Sequence, residues 1–221
     1  MKFNKSKLFV LTLFCIMSTV LLAQKTVTDI DGNVYNTVII GKQVWMVENL
    51  KVTHFQNGDE IPVVADHMGW SFLETAACCE YDNSPFNNEV YGKLYNFFAV
   101  NDIHNLCPKD WHVPTDKEWS ELTSFLGEKS HAGGKLKEET TDYWQSPNVD
   151  ATNASCFTAL PGGNRAPDGA FAHIGSGGYW WSSTNSETNY ALSRFLLCNS
   201  GNIYIYRSSK GSGFSVRCIK D

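Results

Sequence analysis

Apolar and polar positions along this chain follow more than one rhythm. An unbroken apolar run lies near the start, and residues 25–62 then alternate in short β-rich bursts separated by turn residues. Asp31-Gly32 stands between Thr26-Val27-Thr28-Asp29 and the run 34–40, which predicts a hairpin. A further strand is expected over 43–47, and Asn57-Gly58-Asp59 marks another turn. Residues 65–90 lack a period and are expected to be loop. In 91–100 the apolar positions 94, 95, 98 and 99 suit a short helix over 94–100, with strand as the alternative for so aromatic a run.

One segment carries a full helical signature. Trp119, Leu122, Phe125 and Leu126 fall on one face, and Gly127 supplies a stop. Thr115 and Glu118 have capping-box spacing, in which each side chain satisfies the other's backbone N–H. Pro114 excludes helix before that point, and Asp116 and Glu118 put negative charge at the positive end of the helix dipole. A helix over 116–126 follows. Beyond it, residues 130–178 are Gly-rich and loop-like, and strands are expected at 179–183, 191–197, 202–206 and 213–219. These elements make one α+β unit with no linker and no internal repeat. Because strand side chains alternate, one of Trp180 and Trp181 is expected to face the core and the other to face out.

The opening run changes the compartment. Lys2, Lys5 and Lys7 precede apolar residues 8–23 with no acid among them, the pattern of a secretory signal peptide cleaved after Ala23. The run is short for a membrane-spanning helix. Cys15 lies inside it and Gln24 follows the cleavage point, so a lipoprotein is not expected. Residues 24–221 would then form a single domain, exported to the periplasm, cell surface or medium and not inserted in the membrane. Without the three leader lysines the 18 Lys and Arg become 15 against 23 Asp and Glu, a mature charge of about −8. No basic run stands out, which argues against nucleic acid as a partner.

Six cysteines remain after the leader: Cys78, Cys79, Cys107, Cys156, Cys198 and Cys218. In an exported chain an even count indicates disulfides, but the residues alone leave every pairing open. There is no Cys-x-x-Cys and no Cys/His set with zinc spacing. Asp29, Asp31 and Asn33 alternate like the start of a calcium loop, but Ile40 stands where an EF-hand needs its acid, so they are expected to be turn residues.

Six motifs occur in one fixed order: Trp45-Met46-Val47-Glu48-Asn49-Leu50, Tyr91-Gly92-Lys93-Leu94-Tyr95-Asn96, the stretch from Cys107 to Trp119, Leu160-Pro161-Gly162-Gly163-Asn164-Arg165, Trp180-Trp181-Ser182-Ser183, and Gly213-Phe214-Ser215-Val216-Arg217-Cys218. Together they resemble the Fibrobacter succinogenes major paralogous domain, over about residues 27–221. That family is grouped with the C-type lectin-like fold and is distantly related to formylglycine-generating enzymes. The resemblance implies two short helices, at 94–100 and 116–126, an irregular antiparallel sheet and a long Gly-rich loop region. It also implies a bridge between Cys107 and Cys218, closing a loop worth on the order of 4 kcal/mol by chain entropy. A second bridge, Cys156–Cys198, is suggested by the fold. Cys78 and Cys79 are left over as a vicinal bridge or as two thiols. Thr115, Glu118 and Trp119 are expected to be structural.

Chemistry is weakly signalled. His112, Asp116 and Glu118 could form an acid/base group, but Glu118 is already occupied by capping. Ser182-Ser183 lacks a nucleophile elbow. The reactive cysteine arrangement of the formylglycine-generating enzymes is not matched, so no catalytic residue and no cofactor is assigned. The Glu-Pro-Asn, Gln-Pro-Asp and Trp-Asn-Asp calcium motifs of lectins are absent too. Aromatic stacking needs no calcium, and Trp70, Trp144, Tyr179, Trp180 and Tyr190 are candidate ligand-binding residues in or beside loops, with core packing as the competing role. The expected function is extracellular recognition of a surface glycan or protein. The alternatives are an enzyme related to the formylglycine-generating oxidases and a purely structural surface component.

Overall fold

A computed structural model describes residues 25–221. The signal-peptide expectation at 1–23 lies outside the described residues. The first elements are β1 (Thr26–Thr28), β2 (Val34–Ile40) and β3 (Gln43–Met46), antiparallel as the turn signals predicted. Asp29 organises the first turn: Oδ1 accepts from the N–H groups of Asp31 and Asn33, and Oδ2 from the Tyr35 hydroxyl at 2.6 Å. Its carboxylate is a turn acceptor.

Residues 65–90, expected as loop, contain α1 (His67–Ser71), β4 (Cys78–Cys79) and α2 (Pro85–Tyr91). The helix expected over 94–100 is divided between β5 (Leu94–Tyr95) and a single turn, α3 (Phe97–Val100). Asn96 causes the division, because its side chain caps α3 by accepting from Ala99 N at 3.0 Å. After β6 (Trp111–His112) comes α4 (Asp116–Phe125), with Leu126 as its C-cap and the full capping box. Trp119, Leu122 and Leu126 are buried, but Phe125 is exposed and lies over the turn at Gly41, where an added Cβ would meet its ring at 3.0 Å.

The Gly-rich region also holds more structure than expected. It begins with α5 (Lys129–Leu136). Glycine is a poor helix former, but a Cβ on Gly133 would come within 2.3 Å of Asn202 O, and one on Gly134 within 2.2 Å of Asp150 O. Close backbone approach, which only glycine permits, overrides propensity here. Then follow β7 (Gly162–Arg165), β8 (Phe171–Ile174), β9 (Gly177–Glu187), β10 (Tyr190–Leu197), β11 (Tyr204–Ser209) and β12 (Ile219–Lys220).

Two five-stranded sheets result, in orders β1-β2-β3-β12-β6 and β11-β10-β9-β7-β8. The second is antiparallel except for the β7–β9 contact. The architecture is α+β, mostly short strands with few short helices. Strand β9 lies between two cores. Trp181 faces one with Tyr35, Met46, Phe97, Trp111 and Phe214, and Trp180 faces the other with Trp45, Trp119, Trp144, Phe157 and Leu196. The two rings do alternate, but both faces of the strand are covered, so neither points to solvent.

The ordered motifs meet in space. Asn49 Oδ1 accepts from Trp180 Nε1 at 2.8 Å and from Arg217 Nη2 at 2.9 Å, while its Nδ2 donates to Tyr91 O at 2.8 Å. The buried Arg217 guanidinium also donates to Phe157 O, and its plane sits 4.1 Å from the Phe157 ring. Buried Arg165 and Lys137 work similarly on loops. Arg165 donates to Val64 O, Ala65 O, Asp66 O and Gly169 O, and Lys137 Nζ donates to Val149 O, Leu197 O and Ser200 O. In a fold poor in regular elements, these cations satisfy loop carbonyls that burial would otherwise orphan.

The Cys107–Cys218 bridge is formed, with Cα atoms 5.9 Å apart across a sequence separation of 111. Cys156 and Cys198, expected as a second pair, are both free thiols. Separate turns hold them: Cys156 N–H closes onto Asn153 O, and the Cys198 backbone pairs with Ser176 and Val149. Cys78 and Cys79 are also free and face different cores, which excludes the vicinal bridge. Burial pushes their thiols up to about 12 and about 11, so both are inert side chains of the interior.

Candidate functional site

Of the five aromatic candidates, three are core residues. Trp70, Trp144 and Trp180 are each at most 1% exposed. Their indole N–H groups donate to Gly211 O, Ala159 O and Asn49 Oδ1, so each ring staples a loop or a neighbouring strand to the interior. None offers a face to a ligand.

Tyr179 and Tyr190 are different, and the fold brings them to one place. Both line a cleft of about 400 Å³ at the outer end of β9–β11. Sequence reasoning missed its other main residues, Phe195, Tyr206, Phe214 and His173. Register explains the grouping. Phe195 lies opposite Tyr179 on one side and Tyr204 on the other, and its ring stacks on both, with centroids 5.5 and 4.8 Å apart. Tyr206 meets Phe195 edge-on at 6.5 Å and is 63% exposed. The alternation Ile203-Tyr204-Ile205-Tyr206 was the available signal for this face.

His173 closes the opposite wall. Its backbone φ is 67°, which few non-glycine residues adopt, and this turns the ring toward Tyr179 at 5.6 Å. His173 Nδ1 lies 2.8 Å from Asn164 Oδ1. With that oxygen as acceptor, Nδ1 carries the proton and Nε2 is left as the free ring nitrogen. Burial raises the Tyr179 phenol above its ordinary pKa, so it serves as a neutral hydrogen-bonding group. No carboxylate lines this cleft; its basic side chains are His173 and Arg207. A second groove, of about 710 Å³, lies against Glu187, Tyr190, Leu192, Ile205, Tyr206 and Arg207, so Tyr190, Tyr206 and Arg207 border both.

Of the candidate acid/base residues His112, Asp116 and Glu118, the first and last pair with each other and Asp116 has a separate partner. His112 Nε2 lies 2.9 Å from Glu118 Oε1 and Nδ1 lies 2.6 Å from Asp221 Oδ1, tying the chain's last residue to the start of α4. Burial lowers the His112 pKa, but the hydrogen bonds and charges of Asp221 and Glu118 outweigh it, and the net shift is upward. Asp116 is paired with Arg194 at 2.5 Å, and Glu118 Oε2 accepts from Thr115 N and Oγ1. Ser182 is buried, and its hydroxyl accepts from Thr184 N. Among the described residues no group of three or more His, Cys, Asp or Glu side chains is placed to hold a metal ion, and no helix is long and apolar enough to cross a membrane.

No curated protein and no solved structure matches the chain. The Fibrobacter succinogenes major domain matches residues 38–220, spanning all six ordered motifs. The chain belongs to the Fibrobacter succinogenes major domain family.

Proposed function

We propose that this chain is an exported, non-catalytic recognition module of C-type-lectin-like architecture that binds a surface glycan or protein through the tyrosine-lined end of β9–β11. One observation carries the reading. The seven tryptophans and the charged clusters are occupied by the scaffold, whereas Tyr190 and Tyr206, 44% and 63% exposed, leave their rings open beside a cleft. Aromatic rings held by a rigid sheet offer contact area at low entropic cost, which suits recognition. The lysine-led apolar leader and the Cys107–Cys218 bridge support export. Commitment of Cys218 to that bridge weighs against thiol-based oxidase chemistry, which needs a reactive pair.

The test is a binding panel of insoluble and soluble polysaccharides and of displayed peptides against the wild type and a Tyr190→Ala/Tyr206→Ala variant. The reading predicts a ligand whose affinity drops roughly tenfold or more in the variant, with the unfolding midpoint unchanged. Binding of panel members that ignores both tyrosines, or no binding to any of them, contradicts it.

A further inference from the structure

We propose that β11 accepts an extended polypeptide segment as a sixth strand of the second sheet, which makes the ligand a protein strand; this rests on the recognition reading above. β11 ends the order β11-β10-β9-β7-β8, with only β10 beside it. Lys210 N donates to Asn189 O at 3.0 Å, and the Ser193 hydroxyl lies 3.4 Å from the Tyr206 carbonyl. In the observed register these fix Tyr204, Tyr206 and Ser208 as the residues whose backbone groups face β10. Ile205 and Arg207 therefore turn their N–H and C=O groups outward.

Both ends of this edge are closed. Ile203 N–H donates to Lys129 O, and Ser209 O accepts from Ser212 N. Between them the outward groups of Ile205 and Arg207 have no hydrogen-bond partner among the described residues. The gap has the length of one short added strand. The clefts suit that occupant. An added strand sends alternate side chains to opposite faces of a sheet, and here a cavity lies on either side of the edge, with Tyr206 and Arg207 bordering both.

The lining narrows the partner's chemistry. The tyrosine cleft is lined by aromatic and small polar side chains with His173, and Arg207 at its border is already ion-paired with Glu187 of the adjoining groove. A largely uncharged segment with an aromatic or aliphatic residue at every second position fits. A second folded copy fits less well, because an opening limited to two residues falls far short of the area a stable folded dimer needs. The opposite edge of the same sheet is partly occupied. On β8 the outward His173 carbonyl already accepts from Ser176 N, and the Tyr81 ring lies 5.1 Å from Phe171 beside it.

The experiment selects binders from a displayed library of random peptides about twelve residues long, using the full chain as bait, then methylates each backbone nitrogen of a selected peptide in turn. Methylation at alternate positions should weaken binding roughly tenfold or more, and the intervening positions should tolerate it. In the protein, Arg207→Pro removes one outward N–H at a position where an edge strand accepts proline, and should abolish binding; Arg207→Ala keeps that N–H and should retain most of it. Circular dichroism and the unfolding midpoint confirm that both variants fold, and Ile205→Pro is the second variant if Arg207→Pro does not. Selected peptides without the two-residue period, or binding equal in the proline and alanine variants, overturn the proposal. If no peptide is enriched but a polysaccharide binds through Tyr206, the strand proposal falls and the recognition reading stands. If neither ligand binds, both fall. Concentration-dependent dimerisation lost in Arg207→Pro would identify a second copy as the occupant and overturn the assignment to a foreign strand.

Discussion

Trp180 and Trp181 sit in the centre of β9, two strands away from Tyr206 on β11, and the two places obey opposite rules. At the centre every face and every polar group is taken up: both indoles are buried, and their N–H groups reach Asn49 Oδ1 and Tyr95 O. At the edge a tyrosine is 63% exposed, and the flanking residues Ile205 and Arg207 leave backbone groups unpaired. The sheet is the same, and position within it makes the difference. A central strand is covered by cores on both sides, but the last strand has a free flank, and exposed edges of this kind are usually blunted by charge, proline or a covering loop. On β11 the Arg207 charge is drawn into an ion pair with Glu187, and the outward backbone groups of Ile205 and Arg207 stay unpaired. The central region holds the fold together, and the uncovered edge is where a partner can add to it.

Mutations at the centre should therefore cost most. Trp181→Ala leaves a cavity among Phe97, Phe214 and Tyr95 O and should lower unfolding free energy by about 3–5 kcal/mol in denaturant titration. Asn49→Ala strips the Arg217 guanidinium and the Trp180 N–H of their shared acceptor, and a loss of about 3 kcal/mol or more is expected from the same measurement. A loss below about 1 kcal/mol in either would mean that the centre is less committed than its geometry implies. Removing the bridge with Cys107→Ala/Cys218→Ala should cost about 2–4 kcal/mol, and reducing agent should reproduce that loss in the wild type.

The His112 cluster sits between these extremes. Its folded pKa is raised, so its contribution to stability is complete below the unfolded value near 6.5 and is lost as pH rises through the higher folded value. The ring is one-third exposed, which limits the effect to under about 1 kcal/mol. His112→Gln should flatten the fall in stability as pH rises above the unfolded value near 6.5, and an unchanged pH profile would assign that fall to other groups. The smallest effect on stability belongs to Tyr206→Ala, within about 0.5 kcal/mol, although ligand binding should be lost.

Much of the scaffold was legible beforehand because its signals are local. The capping box at Thr115 and Glu118 encodes α4 in adjacent residues, and Asp31-Gly32 encodes the first hairpin. The link between Cys107 and Cys218 came through the ordered motifs that resemble the family. What could not be read depends on contacts between distant segments. Alternation placed Trp180 and Trp181 on opposite faces, but no local pattern says that both faces are covered. Gly133 and Gly134 look like loop residues until Asn202 and Asp150 are found against them. Trp70 and Trp144 lie in loop-like sequence, yet an indole is too large to leave outside a fold with so little regular structure. The cleft was half visible through Tyr179 and Tyr190. Phe195 and Tyr206 joined it only once strand order made β11 the edge.

Residue-resolved hydrogen exchange on the free protein tests the contrast between centre and edge most directly. The amides of Trp180 and Trp181, and that of Tyr206 facing β10, should exchange slowly, while those of Ile205 and Arg207 exchange quickly in the absence of ligand. Protection at Ile205 and Arg207 equal to that at Tyr206 would show that the edge is already covered and would contradict the account.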